Sequence, residues 1–291
     1  MSDFKSGFVG LFGKPNAGKS TLLNALLGEK LAIVSPKAQT TRNRILGILT
    51  EKEYQIIFND TPGLLDAKYG LHEKMMKEVH QVKEGTDVVV FVMDARDEFP
   101  EIEERIKSLR CKQHVVLAIN KTDAISAEKL NALTQTAQKS KSVQAVVGIS
   151  ALHKTGLDGL LETILQFLPS MPAYYDDETL TDRPMRFFVA ELIREKLFFE
   201  LDEELPYHAA VLVRQYEEKN TLVKINADII VSRESQKAII IGKNGQQIKR
   251  IGQQAREDIE AFIDRKVFLE LHVKVRKDWR NNDLYLKEYG Y

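Results

Sequence analysis

"GLFGKPNAGKSTLLNALLG" occupies positions 10–28. A short apolar run passes into Gly13-Lys14-Pro15-Asn16-Ala17-Gly18-Lys19-Ser20, and an amphipathic stretch of helix length follows. The spacing fits G-x-x-x-x-G-K-[ST], the pattern of a phosphate-binding loop between a strand and a helix. Glycines let backbone N–H groups close on a phosphate, and the helix start adds partial positive charge. On this reading Lys19 reaches the β/γ-phosphates and the Ser20 hydroxyl takes Mg²⁺. Such a loop belongs at the carboxyl edge of a mainly parallel α/β sheet.

The flanking sequence agrees. The runs 7–13, 54–60, 87–94, 114–120 and 143–150 are short and apolar, as strands covered on both faces should be. Helix-length stretches separate most of them, at 19–28, 71–84, 99–110, 126–139 and 156–167. This alternation predicts a parallel sheet with right-handed crossovers. "RILGIL" (44–49) and "YQIIFN" (54–59) lie only four residues apart, which predicts one antiparallel edge hairpin. The stretch "PSMPAYYDDETLTDRP" (169–184) has three prolines and no periodicity. It divides the chain into a domain at 1–170, a linker at 171–183 and a second domain at 184–291. In the second domain the order reads α–β–β–α–α–β, a smaller α+β unit.

Three further loops fall at the ends of strands in the first domain. "DTPG" (60–63) carries Asp60, Thr61, Pro62 and Gly63, with Leu64 next. "NKTD" (120–123) carries Asn120, Lys121, Thr122 and Asp123. "SAL" begins with Ser150 and Ala151. A carboxylate at Asp123 can accept two hydrogen bonds from guanine N1–H and the 2-amino group, which adenine cannot supply. Asn120 and the Lys121 stem complete a base pocket, and the Ala151 N–H can donate to guanine O6. As in GTP-switch proteins, Asp60 would hold Mg²⁺ through water and the Gly63 N–H would meet the γ-phosphate.

"GKPNAGKSTLLNALLG" and "SPKAQTTRNR" resemble the Era family of bacterial ribosome-assembly GTPases, and the resemblance runs through both domains. It implies a P-loop GTPase domain followed by a type II K-homology domain. It also implies that 39–43 is the first switch, with Thr41, or failing that Thr40, as second Mg²⁺ ligand. Lys19, Thr41 and Gly63 then carry the chemistry. Small signalling GTPases place a water-orienting glutamine directly after D-x-x-G; here Leu64 stands there and cannot orient water by hydrogen bonding. Slow intrinsic turnover, raised by a partner or a cation, is the expectation. Asn16 either helps hold K⁺, as in related cation-activated GTPases, or simply suits the turn. The segments 35–43 and 60–72 are expected to order with GTP and loosen with GDP.

A second glycine loop lies in "IIIGKNGQQIKRIG" (239–252), where three β-branched residues suggest a strand entering a loop and a helix. The phosphate-loop pattern fails there, because Lys237 stands where glycine is needed and Asn244 where Ser or Thr is needed. What remains is G-x-x-G at Gly242–Gly245, which resembles the K-homology loop that clamps single-stranded backbone. Ile241, Gly242, Lys243, Asn244, Gly245, Lys249 and Arg250 are its candidate RNA contacts. Charge is concentrated here: Arg233, Lys237, Lys243, Lys249, Arg250 and Arg256 face only Glu234 between 233 and 256. The acidic clusters at 199–205 and 256–264 are expected to face away from RNA or toward the first domain. The aromatic tail 277–291 can either stack on bases or dock on its own domain.

Totals exclude other classes. The 291 residues are 43% hydrophobic and 29% charged with zero formal net charge, so any basic site is local. One cysteine, Cys111, excludes an intrachain disulfide framework and fits a reducing cytosol. The six histidines show no metal-ligand spacing. No signal peptide or membrane span is evident, and the apolar run 88–93 is far too short for one. The reading is therefore a cytoplasmic, monomeric GTPase using Mg²⁺, with GTP as substrate and GDP as product. The family resemblance implies the 3′ region of 16S ribosomal RNA and the 30S subunit precursor as partners. Peripheral contact with the inner face of the membrane stays open. Two rivals are a signalling or membrane-associated GTPase whose second domain binds protein, and an RNA-binding protein with a vestigial nucleotide pocket.

Overall fold

The structure is a computed structural model that describes residues 4–35, 37, 40–64 and 69–291. Of the expected switch positions, Pro36, Ala38, Gln39 and 65–68 lie outside the described residues. The chain divides into two compact units. The first runs to Asp182, apart from the described residues of 33–40 and 69–74, which cluster with the second unit, Arg183–Tyr291.

The first unit contains β1 (Lys5–Gly13), α1 (Lys19–Leu27), β2 (Ile45–Thr50), β3 (Tyr54–Asp60), α2 (Gly70–Glu84, whose residues up to Lys74 cluster with the second unit), β4 (Val88–Asp94), α3 (Phe99–Leu109), β5 (His114–Asn120), α4 (Ala127–Gln138), β6 (Ala145–Gly148) and α5 (Leu157–Phe167). The strands form a six-stranded sheet in the order β2-β3-β1-β4-β5-β6. Only β2 is antiparallel, hairpinned onto β3, as the short spacing requires. Strand β4 is buried along its whole length, so a run of apolar residues without alternation is what its position demands. The chain passes from β1 to β3 on one side and then crosses to β4 on the other. The carboxyl end of β1 is thus at the reversal of strand order, where open α/β sheets form their ligand crevice.

The second unit contains α6 (Met185–Glu200), β7 (Ala210–Glu218), β8 (Val223–Val231), α7 (Glu234–Ile241), α8 (Gln246–Ile263), β9 (Val267–Val275) and α9 (Asp283–Glu288). Strand β8 is central, antiparallel to β7 and parallel to β9. Ile193 and Leu197 of α6, Ile225 and Ile229 of β8, and Ile251 and Ile259 of α8 meet in its core. The order is the expected α–β–β–α–α–β.

One local expectation is corrected. Ile239–Ile241 are the last turn of α7, not a strand. Strand preference of β-branched residues is weak against burial, and Ile240 is fully buried in the core while Ile239 stays 57% exposed. The Gln236 side-chain oxygen Oε1 accepts the N–H groups of Ser232 and Arg233, securing the helix start. In the tail, Trp279 is fully buried and its ring faces Tyr289 and Tyr291. Its indole N–H donates to the His208 carbonyl at 3.2 Å. Trp279 is therefore a packing residue and has no face to offer a base. Among the described residues no helix is long and apolar enough to cross a membrane.

Candidate nucleotide site and glycine-loop interface

The phosphate loop leaves β1 and enters α1 through left-handed backbone at Asn16 (φ 62°) and Gly18 (φ 96°). A Cβ on Gly18 would stand 2.2 Å from the Asn120 amide nitrogen, so the close approach of β5's loop requires glycine. Asn120 donates to the Ala17 carbonyl at 2.8 Å and accepts the Ala151 N–H at 3.0 Å. One amide thus joins the phosphate loop, NKTD and SAL. Lys121 donates to the Asn16 carbonyl and to Asp94, each at 2.7 Å. Ser150 donates to Asp123 at 2.5 Å, which orients the carboxylate and holds its pKa below the usual range. Thr122 donates to the Ile149 carbonyl at 3.0 Å and closes the loop.

At the other end of the site, Lys19 is buried and its ammonium donates to the carbonyls of Gly13 (3.3 Å) and Lys14 (3.0 Å). Burial pulls its pKa down to about 8, with Asp60 opposing. Asp60 is fully buried, and burial pushes its carboxyl up to about 6 against Lys19, Ser20 and Thr41. Ser20 donates to Asp60 Oδ2 at 2.6 Å; the hydroxyls of Ser20 and Thr41 are 2.8 Å apart, and Thr41 lies 3.4 Å from the same oxygen. Asp60 Oδ1 is buried with no hydrogen-bond partner among the described residues. Two hydroxyls and one carboxylate with a spare lone pair suit a hard cation that takes its remaining ligands from phosphate and water. The residues present therefore fit Mg²⁺. Thr61 is fixed by donating to the Leu11 carbonyl at 2.7 Å. Pro62 is buried, and Gly63 lies so close to Pro15 that a Cβ would stand 2.8 Å from its nitrogen. The Leu64 N–H donates to the Gly13 carbonyl at 3.2 Å, and its side chain leans on the hydrophobic cluster of the unit.

The structure brings together Gly13–Ser20, Thr41, Asp60–Leu64, Asn120–Asp123 and Ser150–Ala151. Sequence reasoning missed Asp94. Burial alone would raise its pKa, but hydrogen bonds from Arg96 and Lys121 hold it well below the carboxylate range. A carboxylate ending a buried strand beside a basic residue was the signal that could have found it.

In the second unit, Gly242 (φ 71°) and Gly245 (φ 73°) bracket a single 3-10 turn, Lys243–Gly245. A Cβ on Gly242 would meet the Gln247 Cβ at 2.6 Å, whereas Gly245 opens onto free space. Lys243, Asn244, Lys249 and Arg250 are exposed, and Ile241 is half-buried beneath them. Glu200, from the acidic cluster at 199–205, pairs with the Arg250 guanidinium and accepts from Gln254 at 2.7 Å. The Glu200 carbonyl accepts from Gln247 at 2.8 Å. The end of α6 needs partners for its carbonyls, and the first turns of α8 supply one.

Comparison with known proteins decides between the readings. A family model described as a 50S ribosome-binding GTPase matches residues 8–121, and a KH domain model matches 204–280. GTPase Era of Alkaliphilus oremlandii is 44% identical over 293 residues, covering 99% of each chain. The chain belongs to the Era family of GTPases. GTPase Era of Thermotoga maritima is 45% identical over 291 residues, covering 98% of this chain and 97% of its own. An Aquifex aeolicus Era variant bound to GDP·AlF4⁻ superposes with a TM-score of 0.95 at 40% identity, with 99% of each chain covered. So does an Era in complex with MgGDPNP and nucleotides 1506–1542 of 16S ribosomal RNA, with the same score, identity and coverage. Membership establishes the P-loop GTPase fold with a C-terminal KH domain, and the rival signalling and vestigial readings fall away with it.

Proposed function

We propose that this chain hydrolyses GTP as a switch, binds the 3′ region of 16S ribosomal RNA through the Gly242–Gly245 loop, and acts in assembly of the small ribosomal subunit. It works in the cytoplasm as a monomer, with the 30S precursor as its partner. Its functional division is 1–170 for the nucleotide, 171–183 as linker and 184–291 for RNA. The observation that carries the reading is the presence, on one chain, of a guanine-type nucleotide site and an exposed basic G-x-x-G loop. A relative 40% identical over 99% of both chains holds MgGDPNP and 16S RNA together.

In the mechanism, Asn120, Lys121, Asp123 and Ala151 select and orient guanine. The backbone of Gly13–Ser20 and the desolvated Lys19 ammonium hold the phosphates in line. Ser20 and Thr41, with Asp60 through water, would hold Mg²⁺, which would neutralise charge on the transferring phosphoryl group. Gly63 presents its N–H to the γ-phosphate. Leu64 contributes no hydrogen bond to water, so intrinsic turnover is slow and a partner or cation raises it. Asn16, whose own carbonyl accepts from Lys121, would help hold K⁺.

The test is crosslinking to cellular RNA in a GTP-locked state, with Gly242→Asp as control. Recovery of the 3′ region of small-subunit RNA, lost in the control and weakened by salt, is the expected outcome. Equal recovery from wild type and control would remove the RNA assignment.

A further inference from the structure

The guanidinium of Arg194 has no task in the site described above. It sits on α6 at 1% exposure. Its Nε and Nη2 donate to the Glu191 carboxylate at 2.7 and 2.6 Å, and Nη2 also donates to the Thr40 carbonyl. Nη1 is buried with no hydrogen-bond partner among the described residues. A buried ion pair with a donor left over is a weak source of stability, and a packed apolar side chain usually serves as well or better. What Arg194 does supply is a fixed carbonyl. The Thr40 C=O and the Thr41 N–H lie in one rigid peptide plane. Thr41 Oγ1 is the hydroxyl that meets Ser20 at 2.8 Å and Asp60 at 3.4 Å. The same helix and its end hold the approach to Thr40: Glu195 accepts the Val34 N–H at 3.3 Å, and the Leu201 carbonyl accepts the Lys37 ammonium. Residues 33–40 and α6 belong to one compact unit, so these contacts lie within it.

We propose that Arg194 is a positioning residue of the GTPase centre: oriented by Glu191, it fixes the Thr40 carbonyl and so holds the Thr41 hydroxyl where Ser20 and Asp60 meet it. The residue lies outside both stretches that the family models match, 8–121 and 204–280. The inference rests on Thr41 being a ligand of the metal site. Segments of this kind are ordered by contacts to the γ-phosphate and its Mg²⁺ and released on hydrolysis. A group that holds Thr41 therefore favours the triphosphate over the diphosphate.

The affinities of GDPNP and GDP, both with Mg²⁺, are measured for wild type, Arg194→Gln, Arg194→Lys, Glu191→Gln and Thr41→Ala. Loss of one charge-assisted hydrogen bond corresponds to roughly tenfold. Arg194→Gln should lose about that factor in GDPNP affinity with GDP affinity unchanged. Arg194→Lys, which keeps a donor for the carbonyl, should recover part of it. Glu191→Gln disturbs the fold less and should shift the ratio in the same direction by a smaller factor. A GDPNP-to-GDP ratio equal to wild type in both Arg194→Gln and Glu191→Gln, or equal losses for both nucleotides, overturns the proposal. Thr41→Ala separates the two readings. If it leaves the ratio unchanged, the metal-site assignment fails; if it changes the ratio and Arg194→Gln does not, only the role of Arg194 fails.

Discussion

Asp60→Asn should stabilise the nucleotide-free protein while destroying the enzyme. Asp60 is fully buried, with one carboxylate oxygen unpartnered among the described residues. Its folded pKa stands at about 6 against an ordinary 3.8, even with Lys19, Ser20 and Thr41 opposing the shift. A carboxyl raised on folding binds its proton more tightly in the folded state. Stability is then greatest below the ordinary value and falls as pH rises toward the folded one. Above about 6 the full penalty applies: roughly two units, or about 3 kcal/mol at 1.36 kcal/mol per unit. Asparagine has the same shape and cannot ionise, so at pH 7.5 in EDTA the variant recovers most of that penalty. At about 2–4 °C per kcal/mol for a domain of this size, its melting temperature should exceed wild type by about 6 °C or more. The gap should shrink to a small fraction at pH 4, where the folded carboxyl is protonated, and close fully below the ordinary value of 3.8. Adding Mg²⁺ and GDPNP should reverse the order, because only the carboxylate gains from the cation. The assay is thermal unfolding followed by the circular dichroism of the first unit. A variant that melts below wild type at pH 7.5 in EDTA would refute the reasoning, since the hydroxyls would then already satisfy the charge.

Two further perturbations test other parts of the account. Asp123→Asn removes the acceptor for two guanine donors; GTP affinity should fall at least about a hundredfold while xanthosine triphosphate, which carries a carbonyl at position 2, loses far less, as competition binding would show. Trp279→Ala empties a fully buried site and removes its bond to the His208 carbonyl; a loss of about 3–5 kcal/mol in the unfolding of the second unit is expected, with GTP hydrolysis by the first unit retained.

What the sequence made legible was local chemistry with a fixed spacing. The phosphate loop, DTPG, NKTD and SAL each pair a backbone turn with a side chain two or three residues away, so the chain alone displays them. The same holds for the edge hairpin, whose four-residue connection leaves antiparallel pairing as the available geometry. Contacts made across long separations stayed hidden. Asp94 holds Lys121 from another strand end, Glu200 binds Arg250 fifty residues away, and Arg194 reaches Thr40 across 154 residues. In each case an ordinary surface-type residue gains its role only when the fold removes it from water. Ile239–Ile241 failed for the converse reason: a strong local preference yielded to one buried side chain, Ile240.

Helix α6 makes two sets of contacts within the second unit. Arg194 on its inner face holds the Thr40 carbonyl, and Glu200 at its end holds Arg250 and Gln254, on the helix that leaves the G-x-x-G loop. Between them lie Leu197 and Phe198, both buried. On the proposal above, a nucleotide that holds Thr41 also fixes the Thr40 carbonyl that Arg194 grips. If GTP raises RNA affinity, linkage requires RNA to raise GTP affinity by the same factor. GDP, which leaves Thr41 unheld, has no differential contact through which to exert that bias. The direction of any coupling then follows from which nucleotide can grip Thr41.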